Sequence, residues 1–223
     1  DFCLSRGLGD VYKRQVLEKK GFLLVDSGAT YMDGTTDITR TYPLGPLTED
    51  EKRFYTWTLQ SHIDLAKAVW LDYCECKMID TIAREPLWRH LINYRCGTGH
   101  SVSFVGNVHE GPHSLRGTNS VLMRPGMVVT DEPGVYETDL VGIRIENELV
   151  CVHKADNQYG TFLGFEPLMF VPIATSPILP GVLDKDEIAW LNDYHRQVFA
   201  KLAPHLNDEE RSWLAEKCAA IGC

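Results

Sequence analysis

Four acids and one histidine stand out in this 223-residue chain because of the company they keep. Asp26 closes an apolar run, Phe22-Leu23-Leu24-Val25, and Asp37 follows eleven residues later in a Thr-rich stretch. Glu132 lies in VVTDEPGVY and Glu146 in GIRIENELV, both among residues that favour strands and point such acids inward. His100 ends the Gly-rich passage Cys96-Gly97-Thr98-Gly99-His100. An acid at the end of a buried strand must be ionised and paired, or protonated, and two such acids side by side repel each other. A divalent cation relieves both problems. Four carboxylates and one imidazole suit a hard ion such as Mn²⁺ better than the N/S-rich surroundings of structural zinc, and two divalent ions would neutralise all four acids. Each residue alone admits a plainer role. Asp26 and Asp37 could be a turn acid and an exposed strand acid. His100 could be a loop histidine, and Glu132 and Glu146 could be ion-pair partners of Arg144.

The elements that must position these residues follow from local pattern. Strands are expected over 22–31 and 36–42, joined at the turn signal Asp33-Gly34. A two-residue turn there sets Asp37 opposite Thr30, so sharing an ion with Asp26 requires a bulge or strong coiling, which Gly28 permits. Thr48 and Glu51 form a capping box that opens a helix reaching to about Leu71. A second helix is expected over 77–92, kinked near Arg84 by Pro86. Residues 121–152 read as strands broken at Pro125-Gly126 and Pro133-Gly134, and 162–171 as a strand interrupted by Pro167. An amphipathic helix over 184–202 and a short last helix after Asn207 and Glu210 complete the chain, with a boundary near Gly160.

Composition narrows the function classes. The net charge of -9 argues against nucleic acid or an anionic membrane as partner, and 44% hydrophobic residues suffice for a sizeable core. No apolar run is long enough to span a bilayer, and residues 1–15 lack the apolar centre of a signal peptide. The seven cysteines contain no Cys-x-x-Cys pair, which suggests reduced thiols and a cytoplasmic protein.

DSGATYMDGTTDITRT, GTGH, NVHEGP, TDEPG and GIRIEN, in this order, resemble the pita-bread metallopeptidases, and within them the Xaa-Pro aminopeptidases; prolidase, methionine aminopeptidase and creatinase are relatives. The resemblance runs from about Val16 to the C-terminus, where FLGFEPLMFVPI through WLNDYH resembles the C-terminal extension of three-domain forms. It implies an α+β class: a partial pita-bread fold, with a curved antiparallel sheet flanked by helices, plus a C-terminal helical extension. Residues 1–15 stay unassigned, foreign or disordered. Residues 16–160 would be the catalytic domain without its N-terminal half, and 161–223 the extension.

The resemblance implies two metal ions, Mn²⁺ preferred. Asp26 would bind one, Asp37 and Glu146 would bridge both, and His100 and Glu132 would complete the second. A metal-activated hydroxide would attack an N-terminal Xaa-Pro bond, so the substrate is a peptide with proline in second position. Glu132 would also shuttle a proton to the leaving nitrogen, His109 would stabilise substrate or the tetrahedral intermediate, and Arg144 would orient the bridging acids. The full-length form would be a homodimer.

Two features depart from the family. Cys96 stands where a histidine is common, and no histidine precedes His62, although a substrate-binding one is expected about twenty residues before Asp26. The expectation is therefore a truncated gene product, weakly active or dead and poorly soluble. Rival readings are a non-catalytic pita-bread binding module, a prolidase-type dipeptidase and a metal-free, creatinase-like hydrolase.

Overall fold

A hairpin carries the first two acids. In a computed structural model describing residues 16–222, β1 (Phe22–Tyr31) and β2 (Gly34–Pro43) pair antiparallel from Phe22 opposite Pro43 to Tyr31 opposite Gly34. The expectation for residues 1–15 lies outside the described residues. The turn residues are Met32 and Asp33, one position earlier than the Asp33-Gly34 expected from sequence, and Gly34 takes φ +147°. That slip moves the register by two. Asp37 now faces Gly28 and Asp26 faces Thr39, so the two acids are diagonal neighbours on one face of a regular ladder. No bulge is needed. Gly28 matters for another reason: a Cβ there would stand 2.5 Å from the Thr36 carbonyl oxygen. The run expected to be buried, 22–25, is half-buried to exposed, because β1 pairs only with β2 among the described residues.

The capping box at Thr48 and Glu51 opens α1 (Glu49–Ala66), with both reciprocal hydrogen bonds present. This helix ends earlier than expected. Val69-Trp70-Leu71 instead forms β3 (Val69–Leu71), which pairs with β10 (Gly160–Pro167), a use that suits branched and aromatic side chains. Next, α2 (Cys76–Trp88) runs on through Arg84 and Pro86. Pro86 sits in the last turn, where its missing N–H removes a single intrahelical bond.

The main sheet has the order β3, β10, β9 (Asn147–Asn157), β6 (Val128–Asp131), all antiparallel. Two short pairs complete the strands: β4 (Gly99–His100) with β5 (Ser114–Leu115), and β7 (Gly134–Glu137) with β8 (Val141–Arg144). The last strand stops at Pro167 rather than reaching 171. The boundary expected near Gly160 falls at the tip of the β9–β10 hairpin, so β10 lies inside the main sheet.

The C-terminal helices start where the amphipathic pattern from 184 and the cap at Asn207 place them. Asp184 and Glu187 cap α3 (Lys185–Leu202), and Asn207 and Glu210 cap α4 (Asp208–Lys217), with a 3₁₀ turn (Ala203–His205) between them. One apolar cluster joins α2 to the main sheet through Ile79, Leu149 and Leu163. A second joins α1 to α3 through Leu59, Ile63, Leu191 and Val198. The class is α+β, as expected. Among the described residues, Cys74, Cys76, Cys96, Cys151 and Cys218 are free, and no helix is long and apolar enough to cross a membrane.

Candidate metal centre

Three groups of side chains converge, each with ligand atoms within 4.8 Å of one another: Asp26, Asp37 and Glu146; His100, Glu132 and Glu146; and Asp37, His100 and His109. They overlap at Asp37, His100 and Glu146. The five residues singled out as ligands thus form one continuous cluster with His109 at its edge. Cys96 belongs to none of these groups. It is exposed, and its backbone carbonyl accepts a hydrogen bond from Arg84 Nη2 at 2.9 Å.

Each ligand reaches the cluster from a different element. β2 presents Asp37 and β1 presents Asp26 across the hairpin. Glu132 and Glu146 sit just past the ends of β6 and β8, not within strands. There the chain leaves the ladder, and a side chain can turn inward without disturbing cross-strand pairs. His100 ends β4, which lies flat against β6: a Cβ on Gly99 would stand 1.8 Å from the Thr130 carbonyl oxygen. Behind β4, Arg84 holds Asp80 at 2.8 Å, Asp80 accepts from the Thr98 hydroxyl, and the Glu132 N–H bonds the Thr98 carbonyl at 2.7 Å.

Two threonine hydroxyls, which sequence reasoning did not single out, orient the acids. Thr39 donates to Glu146 Oε2 at 2.6 Å while accepting from Arg144 Nε at 3.1 Å. Thr130 donates to Glu132 Oε1 at 3.2 Å while accepting from the His100 N–H at 3.0 Å. Arg144 was available as an ion-pair partner for Glu132 and Glu146. It pairs with Asp26 at 2.5 Å and with Glu132 at 3.7 Å. His100 Nε2 stands 3.4 Å from Asp37 and 3.3 Å from Glu132, and its ring packs at 3.9 Å from that of His109.

The electrostatics are those of an over-crowded acid cluster. Burial pushes Glu132 up to about 7; His100 and Arg144 counteract it and Asp37 adds to it. Burial, then the charges of Glu132 and Asp37, push Glu146 well above the usual carboxylate range. Burial alone would lower His100, but the Asp37 hydrogen bond and Glu132 outweigh it and raise the imidazole. His109 is lowered by burial and then by His100, which keeps it neutral near pH 7. Glu146 is only 1% exposed, so it has little access to water to offset this crowding. The oxygen-rich donor set and its excess negative charge fit hard divalent cations, which Asp26, Asp37, His100, Glu132 and Glu146 would hold.

A further buried layer lies behind the cluster. Asp131, beside Glu132, is fully buried with Oδ2 3.0 Å from His62 Nδ1, and burial raises its carboxyl above its ordinary range. Asn147, beside Glu146, contacts His62 Nε2 at 3.3 Å. In the sequence these residues differ from the ligands only in being their neighbours, and no pattern marked them.

The chain is similar to known proteins in sequence and in fold. Residues 8–153 match metallopeptidase family M24, and residues 161–221 match the C-terminal region of that family. Aminopeptidase P1 of Lotus japonicus is 42% identical over 212 residues, which is 92% of this chain and 32% of that protein. Aminopeptidase P2 of Arabidopsis thaliana is 43% identical over 205 residues, 89% of this chain and 29% of that protein. The chain therefore spans about a third of the length of these curated relatives. Among solved structures, the X-prolyl aminopeptidase of Caenorhabditis elegans, described as a cytosolic enzyme with a di-nuclear active site, superposes with TM-score 0.85 at 38% identity, covering 90% of this chain and 34% of that one. Prolidase from Pyrococcus furiosus gives 0.56 at 29% identity, covering 67% and 41%. The share of the chain matched and the identity to these relatives place it plainly: this chain belongs to metallopeptidase family M24.

Proposed function

We propose that this chain is the metal-binding portion of an Xaa-Pro aminopeptidase that releases the N-terminal residue of a peptide with proline in second position. The observation that carries the reading is the pair of ligand groups sharing Glu146, one completed by Asp26 and Asp37, the other by His100 and Glu132. The oxygen-rich set favours Mn²⁺ over zinc. When bound, two such cations supply Lewis acidity, polarising an amide carbonyl and lowering the pKa of water toward neutrality. The chain's own residues do the rest. Asp26, Asp37, His100, Glu132 and Glu146 hold the ions. Glu132, beside His100, takes a proton from the attacking water and returns it to the departing prolyl nitrogen. His109, neutral and at the cluster's edge, hydrogen-bonds the substrate as charge develops on its carbonyl oxygen. Arg144 keeps Asp26 and Glu132 apart and oriented.

The C-terminal region supports an aminopeptidase over a prolidase-type dipeptidase, because the relatives matched through residues 161–221 are aminopeptidases P. We assign residues 16–160 to the catalytic portion and 161–223 to its extension. The cytosolic setting of the nematode relative supports a cytoplasmic location. The test is metal content and hydrolysis of an Xaa-Pro-Xaa peptide with added Mn²⁺, comparing this chain with Glu132→Ala. Two ions per chain and activity lost in the variant are expected. Activity that survives the substitution refutes the role of Glu132, and no bound metal refutes the centre and favours a binding module.

A further inference from the structure

The layer behind the ligands does more than fill space. We propose that Arg40 and Tyr194 are positioning residues for the metal pair, which makes α3 of the C-terminal region a structural support of the centre. This rests on the dinuclear reading above.

Arg40 is 3% exposed, and its guanidinium is taken up by neutral acceptors. Nη1 donates to the carbonyls of Thr39, at 2.9 Å, and Glu146. Nη2 shares its two N–H groups among three acceptors, Asn147 Oδ1 at 2.7 Å, the Val171 carbonyl at 2.7 Å and the Tyr194 hydroxyl at 2.9 Å. Nε donates to the Pro172 carbonyl at 3.2 Å. Thr39 lies two residues past Asp37, and Glu146 is shared by two ligand groups. One rigid, planar fork thus fixes the spacing of the two backbone segments that carry Asp37 and Glu146. A lysine, with three donors on a flexible stem, cannot reproduce it.

The other half of the bracket comes from the C-terminal region. The Tyr194 hydroxyl accepts from Arg40 and from the Val171 N–H at 3.2 Å, and its own proton is offered to Val171, Met169 or Asn147 acceptors at 3.0, 3.1 and 3.2 Å. Asn147 then continues through His62 to Asp131, next to Glu132. The contacts run behind three of the five ligands. Loosening the fork lets the Asp37 and Glu146 segments drift apart, which harms a site needing both acids more than it harms the fold.

The test uses Tyr194→Phe, which removes one oxygen and keeps the ring in its apolar cluster, and Arg40→Lys. The readout is Mn²⁺ titration followed by electron paramagnetic resonance, which separates exchange-coupled pairs from single ions. Affinity for the pair is expected to fall ~10-fold in Tyr194→Phe and up to ~100-fold in Arg40→Lys, with single-ion signal appearing below saturation. Val198→Ala, buried on the same helix but outside the network, is the control: it lowers the melting temperature and leaves the coupled signal intact. Wild-type pair affinity in Tyr194→Phe overturns the proposal, even if Arg40→Lys fails to fold. So does equal loss of affinity in Val198→Ala. A wild-type chain that takes up no Mn²⁺ pair overturns the reading of the centre itself, a different result from either.

Discussion

Glu132→Gln should make the metal-free protein more stable at neutral pH and the metal-loaded protein less so. The magnitude follows from the crowding of the acids. Burial holds Glu132 at about 7 in the fold, against 4.5 for an ordinary glutamate, and 22% of its side chain is exposed. A folded value above the unfolded one means that the folded state binds the proton more tightly. Stability from this group is therefore present at low pH and lost as pH rises from 4.5 to about 7. The loss amounts to about 3 kcal/mol, shared with Glu146, because the two acids titrate as a pair. The glutamine amide cannot titrate, so the stability difference between variant and wild type should grow by that amount across the window and then level off. The difference must be measured, because His195 contributes with the opposite sign over much of the same range. Adding Mn²⁺ at about a thousand times its dissociation constant returns about 4.1 kcal/mol to the wild type and much less to the variant, inverting the order. Urea titrations in chelator and in Mn²⁺, at several pH values, provide the assay. A pH-independent difference, or a variant less stable than wild type in chelator at pH 8, refutes the reasoning.

Three further outcomes are expected. Burial and then the charge of Arg40 push His195 down to about 4, so the unfolded chain takes the proton first and stability falls as pH drops from 6.5 toward 4. In His195→Gln, whose amide can accept the Ile173 N–H that His195 Nε2 accepts at 3.1 Å, the decline between pH 6.5 and 5 should shrink by about 2 kcal/mol in urea titrations. Gly99→Ala forces a methyl into the Thr130 carbonyl, so it should cost about 1–3 kcal/mol or more by thermal melting and abolish pair binding by moving His100. His109→Ala should leave the coupled Mn²⁺ signal in place and lower kcat for an Xaa-Pro-Xaa peptide by ~10²-fold; an unchanged kcat removes His109 from the chemistry.

What the sequence made legible was polar residues in apolar company. Glu132 and Glu146 stood out because acids rarely follow such runs, and they do turn inward at the ends of β6 and β8. The two capping boxes read from sequence, at Thr48 and Asn207, marked the starts of α1 and α4 because a cap is a local contact between residues three apart. Non-local choices were less visible. The hairpin turn could sit one residue either way, and only tertiary packing chose the register that puts Asp26 and Asp37 on one face. Val69-Trp70-Leu71 continued a helical apolar pattern, yet an available edge at β10 claimed it. Thr39, Thr130 and Arg40 look like ordinary strand residues, and their roles come from partners up to 154 positions away.

The hairpin tip at Gly160 has a practical consequence. The strand that opens the C-terminal region is an interior member of the main sheet, hydrogen-bonded on one side to β9 and on the other to β3. A gene cut there would leave two open strand edges, each a template for self-association. The two pieces should refold only when mixed, and the intact chain should melt in one cooperative step rather than shed its tail first.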